Sequence, residues 1–204
     1  MTVLQRYIYL IGWFFFRIVF TIFWQLRIYG VKNIPKNIGV IIASNHLSLS
    51  DPLILGCAIP NFIYYMGKKE LFRNPLFAWL LKQVNTFPID RTKSDIKAIR
   101  TTLKLLSEKK IVAMFPQGKR SKDIDENSVL KSGIGMLSCI SQSPIIPCLI
   151  SNSNKLNKFS KISIEFGEPI YPPEKFNHDT YTILTSRILV AINKMKNNKK
   201  NYLP

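Results

Sequence analysis

The chain has 204 residues, 47% of them apolar and 20% charged, enough for one domain with a core of its own. That composition excludes a collagen-like rod, a disulfide-stapled miniprotein and a disordered tail. Lys and Arg number 29 against 12 Asp and Glu, and the net charge of +17 calls for an anionic partner: nucleic acid, an acidic membrane surface or an acidic protein.

The first thirty residues differ from the rest. From Tyr7 to Trp24 the run YIYLIGWFFFRIVFTIFW carries a single charge, Arg17, and at 1.5 Å per residue it makes about 27 Å of helix, close to the thickness of a bilayer core. Arg6 and Arg27 flank it, and Trp13, Trp24 and Tyr29 suit the headgroup level. The run is too long for a cleaved signal peptide and has no small-residue cleavage site after it. A mid-bilayer Arg costs about 2.5–3.5 kcal/mol, so the sequence predicts an interfacial or re-entrant helix pair broken near Arg17. A single span and a buried core helix are the alternatives.

From Val31 onward strands and helices alternate. Strands are predicted at GVIIAS (39–44), NFIYYM (61–66), TFPI (86–89), IVAMFP (111–116), PIIPCLI (144–150) and KISIEFG (161–167). Between them, Asp51 reads as an N-cap with Pro52 opening a helix, and Lys69 to Gln83 as a helix interrupted near Pro75. Ser94 reads as the cap of a helix with Ile96, Ile99, Leu103 and Leu106 on one face. Helices are also predicted for Val129 to Gln142 and Tyr181 to Lys196, with a frayed, solvated tail from Lys194. This alternation predicts an α/β fold, helices flanking a mixed, largely parallel sheet, divided into a helical docking segment at 1–30 and an α/β domain at 31–204.

Three widely spaced cysteines, Cys57, Cys139 and Cys148, lie in apolar surroundings and read as buried thiols of a reducing compartment. With only His46 and His178 as imidazoles and no C-x-x-C pair, ligands for a structural metal are lacking. The chemistry is expected where strands end. His46 follows the first strand, and Asp51 opens the next helix, so the intervening turn can fold the carboxylate back onto the imidazole. No Ser or Cys nucleophile motif accompanies the pair, which suits a general base acting on a substrate hydroxyl. FPQGKRS (115–121) follows another strand and sets Gly118 beside Lys119 and Arg120, a turn suited to phosphate oxygens. Lys68, Lys69 and Arg91 fall at the same strand edge if the sheet is parallel. G-K-R-S at 118–121 lacks the earlier Gly and the hydroxyl of a nucleotide-binding loop, and G-I-G-M-L-S at 133–138 does not follow a strand as a dinucleotide fingerprint must.

N-H-L-S-L-S-D at 45–51, F-P-I-D-R at 87–91, F-P-Q-G-K-R-S at 115–121 and I-I-P at 145–147 resemble the four ordered motifs of the glycerolipid acyltransferases, in particular the bacterial 1-acyl-glycerol-3-phosphate acyltransferases. K-K-E-L at 68–71 and K-S-G at 131–133 also stand where that family has similar residues. The resemblance implies an α/β acyltransferase fold behind a membrane-docking helix pair, with His46 as base and Asp51 orienting it. It further implies Arg91, Gln117, Gly118, Lys119 and Arg120 at the phosphate, and Ile146 and Pro147 at the acyl region. The implied reaction acylates the sn-2 hydroxyl of 1-acyl-glycerol-3-phosphate to phosphatidate at the cytoplasmic face of the membrane. The acyl donor would be carried by acyl carrier protein, coenzyme A or phosphate, and no cofactor, metal or nucleic acid is implied. Two residues depart from the pattern, Gln117 where the family usually has Glu and Lys119 where it has Thr, which bears on the acceptor more than on the reaction. Glycerol-3-phosphate or another lyso-lipid is the alternative acceptor, and a non-catalytic basic protein that binds membranes is the alternative outside enzymes.

Overall fold

The computed structural model describes residues 2–92, 94–121 and 130–200. Within them one seven-stranded sheet is built from β1 (Arg27–Tyr29), β2 (Val40–Ser44), β3 (Ile63–Lys68), β4 (Thr86–Ile89), β5 (Ile111–Met114), β6 (Ile145–Ser151) and β7 (Ser163–Phe166), in the order β1-β7-β6-β2-β5-β3-β4. Every neighbouring pair is parallel except β6 with β7. β2 runs between β6 and β5, and all five of its residues are buried. A strand covered on both faces needs no polar alternation, which is why VIIAS reads as a continuous apolar run.

Six helices cover the sheet: α1 (Val3–Trp24), α2 (Asp51–Ala58), α3 (Pro75–Gln83), α4 (Ile96–Ser107), α5 (Gly133–Ser141) and α6 (His178–Lys200), counted among the described residues. Successive strand residues point to opposite faces. Val40 and Ile42 pack with Phe20 of α1 and Ile54 and Leu55 of α2, while Ile41 and Ala43 pack with Leu106 of α4, Ile134 of α5 and Ile188 of α6. The three cysteines are buried in these cores, and burial pushes the Cys57 thiol up to about 12 and the Cys148 thiol higher still. Gly135, half of the apparent dinucleotide fingerprint, lies inside α5, where a Cβ would collide with the Tyr181 carbonyl of α6. That glycine serves close helix packing.

Several boundaries differ from the sequence reading. Ser50 is the N-cap of α2 and Asp51 its first residue. Asp95 caps α4 in place of Ser94, its carboxylate accepting from the Ala98 N–H at 3.0 Å. The innermost stripe of α4 is Ala98, Thr102 and Leu106, and Ile96 is exposed. The helix expected from Val129 is described from Gly133, and Val129 itself lies outside the described residues. α6 does not fray at Lys194 but continues to Lys200, since Ile192 and Met195 extend its buried stripe along the sheet. β1 ties residues 27–29, expected as part of the helical segment, into the sheet beside β7.

The largest correction concerns α1, which is one continuous helix and not a pair broken at Arg17. Tyr9, Trp13, Arg17, Phe20 and Trp24 recur at helical spacing along the face turned to the domain. Trp13 Nε1 donates to the Ile59 carbonyl at 2.8 Å, and Arg17 Nη1 donates to the carbonyls of Cys57 and Ala58 at 3.1 and 3.2 Å. These carbonyls close the C-terminal end of α2, where helix geometry leaves acceptors without partners and the dipole favours a cation. Arg17 is thus held by protein and needs no break in the helix. Trp24 Nε1 donates to the Leu156 carbonyl at 2.8 Å at the far end. The opposite face, including Val3, Leu4, Tyr7, Ile11, Phe14, Phe15, Ile22 and Phe23, is exposed.

Arg17→Met should leave the α2 carbonyls without donors and lower the unfolding free energy by about 1–3 kcal/mol. Urea denaturation in mild detergent measures this, and an unchanged midpoint would show that the carbonyls find other donors.

Candidate functional site

β2 leaves the sheet at Ser44, and Asn45, 1% exposed, takes the place of the next rung of the ladder. Its side-chain amide donates to the Ile150 carbonyl at 2.9 Å and accepts from the Ile150 N–H at 2.7 Å. This pair of hydrogen bonds to β6 fixes the point from which His46 projects. The turn beyond it closes on a single carboxylate oxygen. Asp51 Oδ2 accepts from the backbone N–H of Leu47 at 2.6 Å and of Ser48 at 2.8 Å, and lies 2.8 Å from His46 Nδ1. Asp51 is fully buried, and its Oδ1 has no hydrogen-bond partner among the described residues. A carboxylate can only accept, so Nδ1 carries the imidazole proton and Nε2 is the basic nitrogen.

The loop that follows β5 wraps around the same histidine. The Phe115 ring stacks on the imidazole with centroids 4.2 Å apart. Gln117 Oε1 accepts from the His46 N–H at 3.1 Å, Gln117 Nε2 donates to Ser121 Oγ at 2.8 Å, and the Ser121 N–H donates to the His46 carbonyl at 2.9 Å. His46 is therefore held on its Nδ1, one ring face and both backbone polar groups.

Between them Gly118 turns the chain at φ +69°, a left-handed conformation that favours glycine. Arg91, from the end of β4, donates to the Gly118 carbonyl at 2.6 Å. Arg91 is half-buried, and burial pulls its pKa down while Glu70 acts in the opposite sense. Lys131 leans over the same turn, close enough that its Cε would meet a Cβ at Gly118 at 3.1 Å. Lys119 and Arg120 are exposed at the tip of the loop. Cations thus gather where β5 and β4 end, on the strand edge that carries His46.

The sequence reading named Arg91, Gln117, Gly118, Lys119 and Arg120 as a group, and all five lie on or against this one loop. The Gln117 amide, however, is engaged with His46 and Ser121. Ile146 and Pro147 lie in β6, paired with Ile42 and Ala43 of β2, and both are buried. The sequence reading gave no role of their own to Asn45, Phe115, Ser121, Lys131 or Asp90, and it placed Lys69 among the strand-edge cations without its partner Asp90. K-S-G at 131–133 was the one available signal for Lys131; side-chain bonds to Ile150 and a ring stack on His46 have no signature in spacing. Two grooves lie elsewhere, one of about 810 Å³ between β7 and α6 and one of about 750 Å³ along α3.

The β3 and β4 ends are tied by Lys69 Nζ on Asp90 Oδ2 at 2.6 Å, and the Thr92 N–H and hydroxyl both donate to Asp90 Oδ1. The Lys69 hydrogen bond, then those of Thr92, hold the Asp90 carboxyl well below the usual carboxylate range. A depressed folded-state pKa gives stability that is present above the unfolded value and lost as pH falls toward the folded one. The stability advantage of wild type over Asp90→Asn should be constant near neutrality and shrink once pH drops below the ordinary 3.8, read by urea denaturation at stepped pH. A constant difference down to the lowest accessible pH would show that Asp90 is not held this way.

The acyltransferase family model matches residues 25–151, which contain the His46–Asp51 turn, Arg91 and the loop at 115–121. A 1-acyl-sn-glycerol-3-phosphate acyltransferase of Bacillus subtilis is 35% identical over 150 residues, covering 72% of this chain and 74% of that protein. One from Streptococcus pneumoniae is 26% identical over 170 residues, covering 79% of this chain and 62% of that protein. Among solved structures, the 1-acyl-sn-glycerophosphate (LPA) acyltransferase PlsC of Thermotoga maritima shares the fold with a TM-score of 0.73 at 21% identity, over 94% of this chain and 81% of that one. With the family model matched over more than half its length, and a 35% identical relative on the same span, the chain belongs to the acyltransferase family.

Proposed function

We propose that the chain transfers an acyl group to the sn-2 hydroxyl of 1-acyl-glycerol-3-phosphate and so forms phosphatidate, the reaction for which its relatives in Bacillus subtilis and Streptococcus pneumoniae are named. The observation that carries this reading is a buried Asp51 fixing the His46 tautomer 2.8 Å away, at a strand edge where Arg91, Gly118, Lys119, Arg120 and Lys131 gather. Neutral His46 accepts the hydroxyl proton at Nε2 while the hydroxyl oxygen bonds to the acyl carbonyl carbon. The bond to the leaving group then breaks, and the imidazolium, stabilised by Asp51, returns the proton to the departing thiolate or phosphate. No covalent acyl-enzyme forms. The donor is an acyl group on acyl carrier protein, coenzyme A or phosphate. The cations hold the acceptor's phosphate, and Arg91 also shapes the turn through the Gly118 carbonyl.

Gln117 fits a positioning role better than a phosphate contact, since both ends of its amide are used within the protein. The 1–30 segment serves membrane docking in this reading and 31–204 the chemistry. α1 is long and apolar enough to cross a bilayer, but one of its faces is spent on the domain, so it lies along the cytoplasmic leaflet with its free face in lipid. An acyl-transfer assay with lysophosphatidate, glycerol-3-phosphate and each donor class tests the reading, and activity on glycerol-3-phosphate alone would reassign the acceptor.

His46→Ala should lower kcat by about 10²–10⁴ while the apparent KM for lysophosphatidate changes little, and Asp51→Asn should be slowed comparably through the wrong tautomer. More than half of the wild-type rate in purified His46→Ala would sink the mechanism. Gln117→Glu keeps the acceptor for the His46 N–H, and the Ser121 hydroxyl can reverse its bond and donate. Both kcat and KM should then stay within about tenfold of wild type, whereas Gln117→Leu loses both bonds and should cost mainly kcat. A Gln117→Leu enzyme with normal kcat and a raised KM would return Gln117 to the phosphate.

A further inference from the structure

We propose that the 3₁₀ turn Lys69–Phe72 together with α3 forms a second membrane contact, distinct from the N-terminal helix, that seats on an anionic phospholipid leaflet. The proposal rests on the reading that the enzyme works at a bilayer. Its own observations begin with α3, a helix whose outward residues are almost all apolar. Leu76, Phe77, Trp79 and Leu80 are 75%, 43%, 51% and 45% exposed. A helix on a water-facing surface places polar residues outward, as α4 does with Lys97, Arg100 and Lys104. The exposed apolar residues of α3 are contiguous with Leu71 and line the groove of about 750 Å³.

Three features decide what covers this face. α3 touches α1, the helix whose outward face is largely apolar. Arg73 lines the groove beside Glu70, the acidic side chain there, which is itself paired with Lys68 at 3.7 Å, and Lys82 is exposed near the end of α3. Apolar surface beside an excess of cations fits anionic headgroups over acyl chains. A second copy of a chain of net charge +17 would instead meet like charge at the same surface. The placement also serves the chemistry. The turn that begins α3 carries Lys69, whose bond to Asp90 sits one residue from Arg91. A leaflet held by α3 therefore lies beside the cations that would take the acceptor's phosphate, so a lysolipid reaches them by moving within the leaflet.

The test uses the full-length chain with an environment-sensitive fluorophore on Leu80→Cys, the three natural cysteines being buried. Vesicles of phosphatidylcholine containing phosphatidylglycerol should shift the emission to the blue and brighten it, while the same probe on Lys97→Cys of α4 should change little. The double variant Leu76→Ser, Trp79→Ser should bind these vesicles about tenfold more weakly, through lost apolar burial, and bind more weakly still in high salt. It should retain acyl transfer to a detergent-dispersed acceptor. A probe at position 80 that responds no more than the probe at 97 would overturn the proposal. So would a position-80 response evoked by an acidic protein without vesicles and not by vesicles. The fluorescence does not depend on turnover: an inert enzyme with a responsive position 80 would sink the acyltransfer reading and leave this contact standing, and an active enzyme with a silent position 80 would do the reverse.

Discussion

The site hangs on one carboxylate oxygen. Asp51 Oδ2 collects the imidazole Nδ1 and two backbone N–H groups, all within 2.8 Å. The two amide bonds close the turn between β2 and α2, and the third contact sets the ring, so turn geometry and base orientation have a common origin. Burial strengthens each bond by removing water as a competitor. It also makes the carboxylate depend on these donors, because Oδ1 has none among the described residues. The first turn of α2 adds the favourable field of a helix N-terminus.

The parallel sheet does the remaining assembly. β2 and β5 are neighbours and run the same way, so the turn after one and the loop after the other must emerge side by side. β3 and β4 continue the row, which brings Lys69 and Arg91 to the edge that carries His46. Asn45 then fastens the β2 exit to β6 on the other side. Strand order brings four strand exits to one edge, and the bonds of Asn45 to Ile150, His46 to Gln117 and Arg91 to Gly118 fix them there.

How far the sequence disclosed this follows from which forces leave a local pattern. Buried parallel strands leave apolar runs, and GVIIAS, TFPI and PIIPCLI mark β2, β4 and β6 to within a residue or so. The His46–Asp51 pair was legible because both residues lie on one turn, five positions apart. Three-residue β1 was not, since an edge strand of Arg27-Ile28-Tyr29 is defined by β7 alone. Ile96 misled because an apolar residue in the first turn of α4 fits the helical period, yet the helix axis turns Ala98 and Thr102 to the core. Gln117 was legible as a departure from the family but not as a clamp, because its partners, the His46 N–H and Ser121, are found only once the loop folds back.

Arg17 shows why the membrane segment was the hardest to read. In sequence it is a charge in the middle of an apolar run, and the cost of placing it in lipid argues for breaking the helix. In the folded chain the same charge answers a deficit elsewhere, the unpaired carbonyls at the end of α2. That exchange makes a continuous α1 affordable only when it lies on the domain. Tyr9, Trp13 and Trp24 repeat the device, each aromatic donating to a backbone carbonyl while its ring packs or stacks. The polar side chains on the inner face of α1 are spent on the protein, and its outward face is mostly apolar, with Arg6 and Tyr7 exposed near its N-terminal end. An all-apolar helix would have no such preference for one face; by anchoring Arg17 to α2, the chain fixes which side of α1 meets the protein and which is left for lipid.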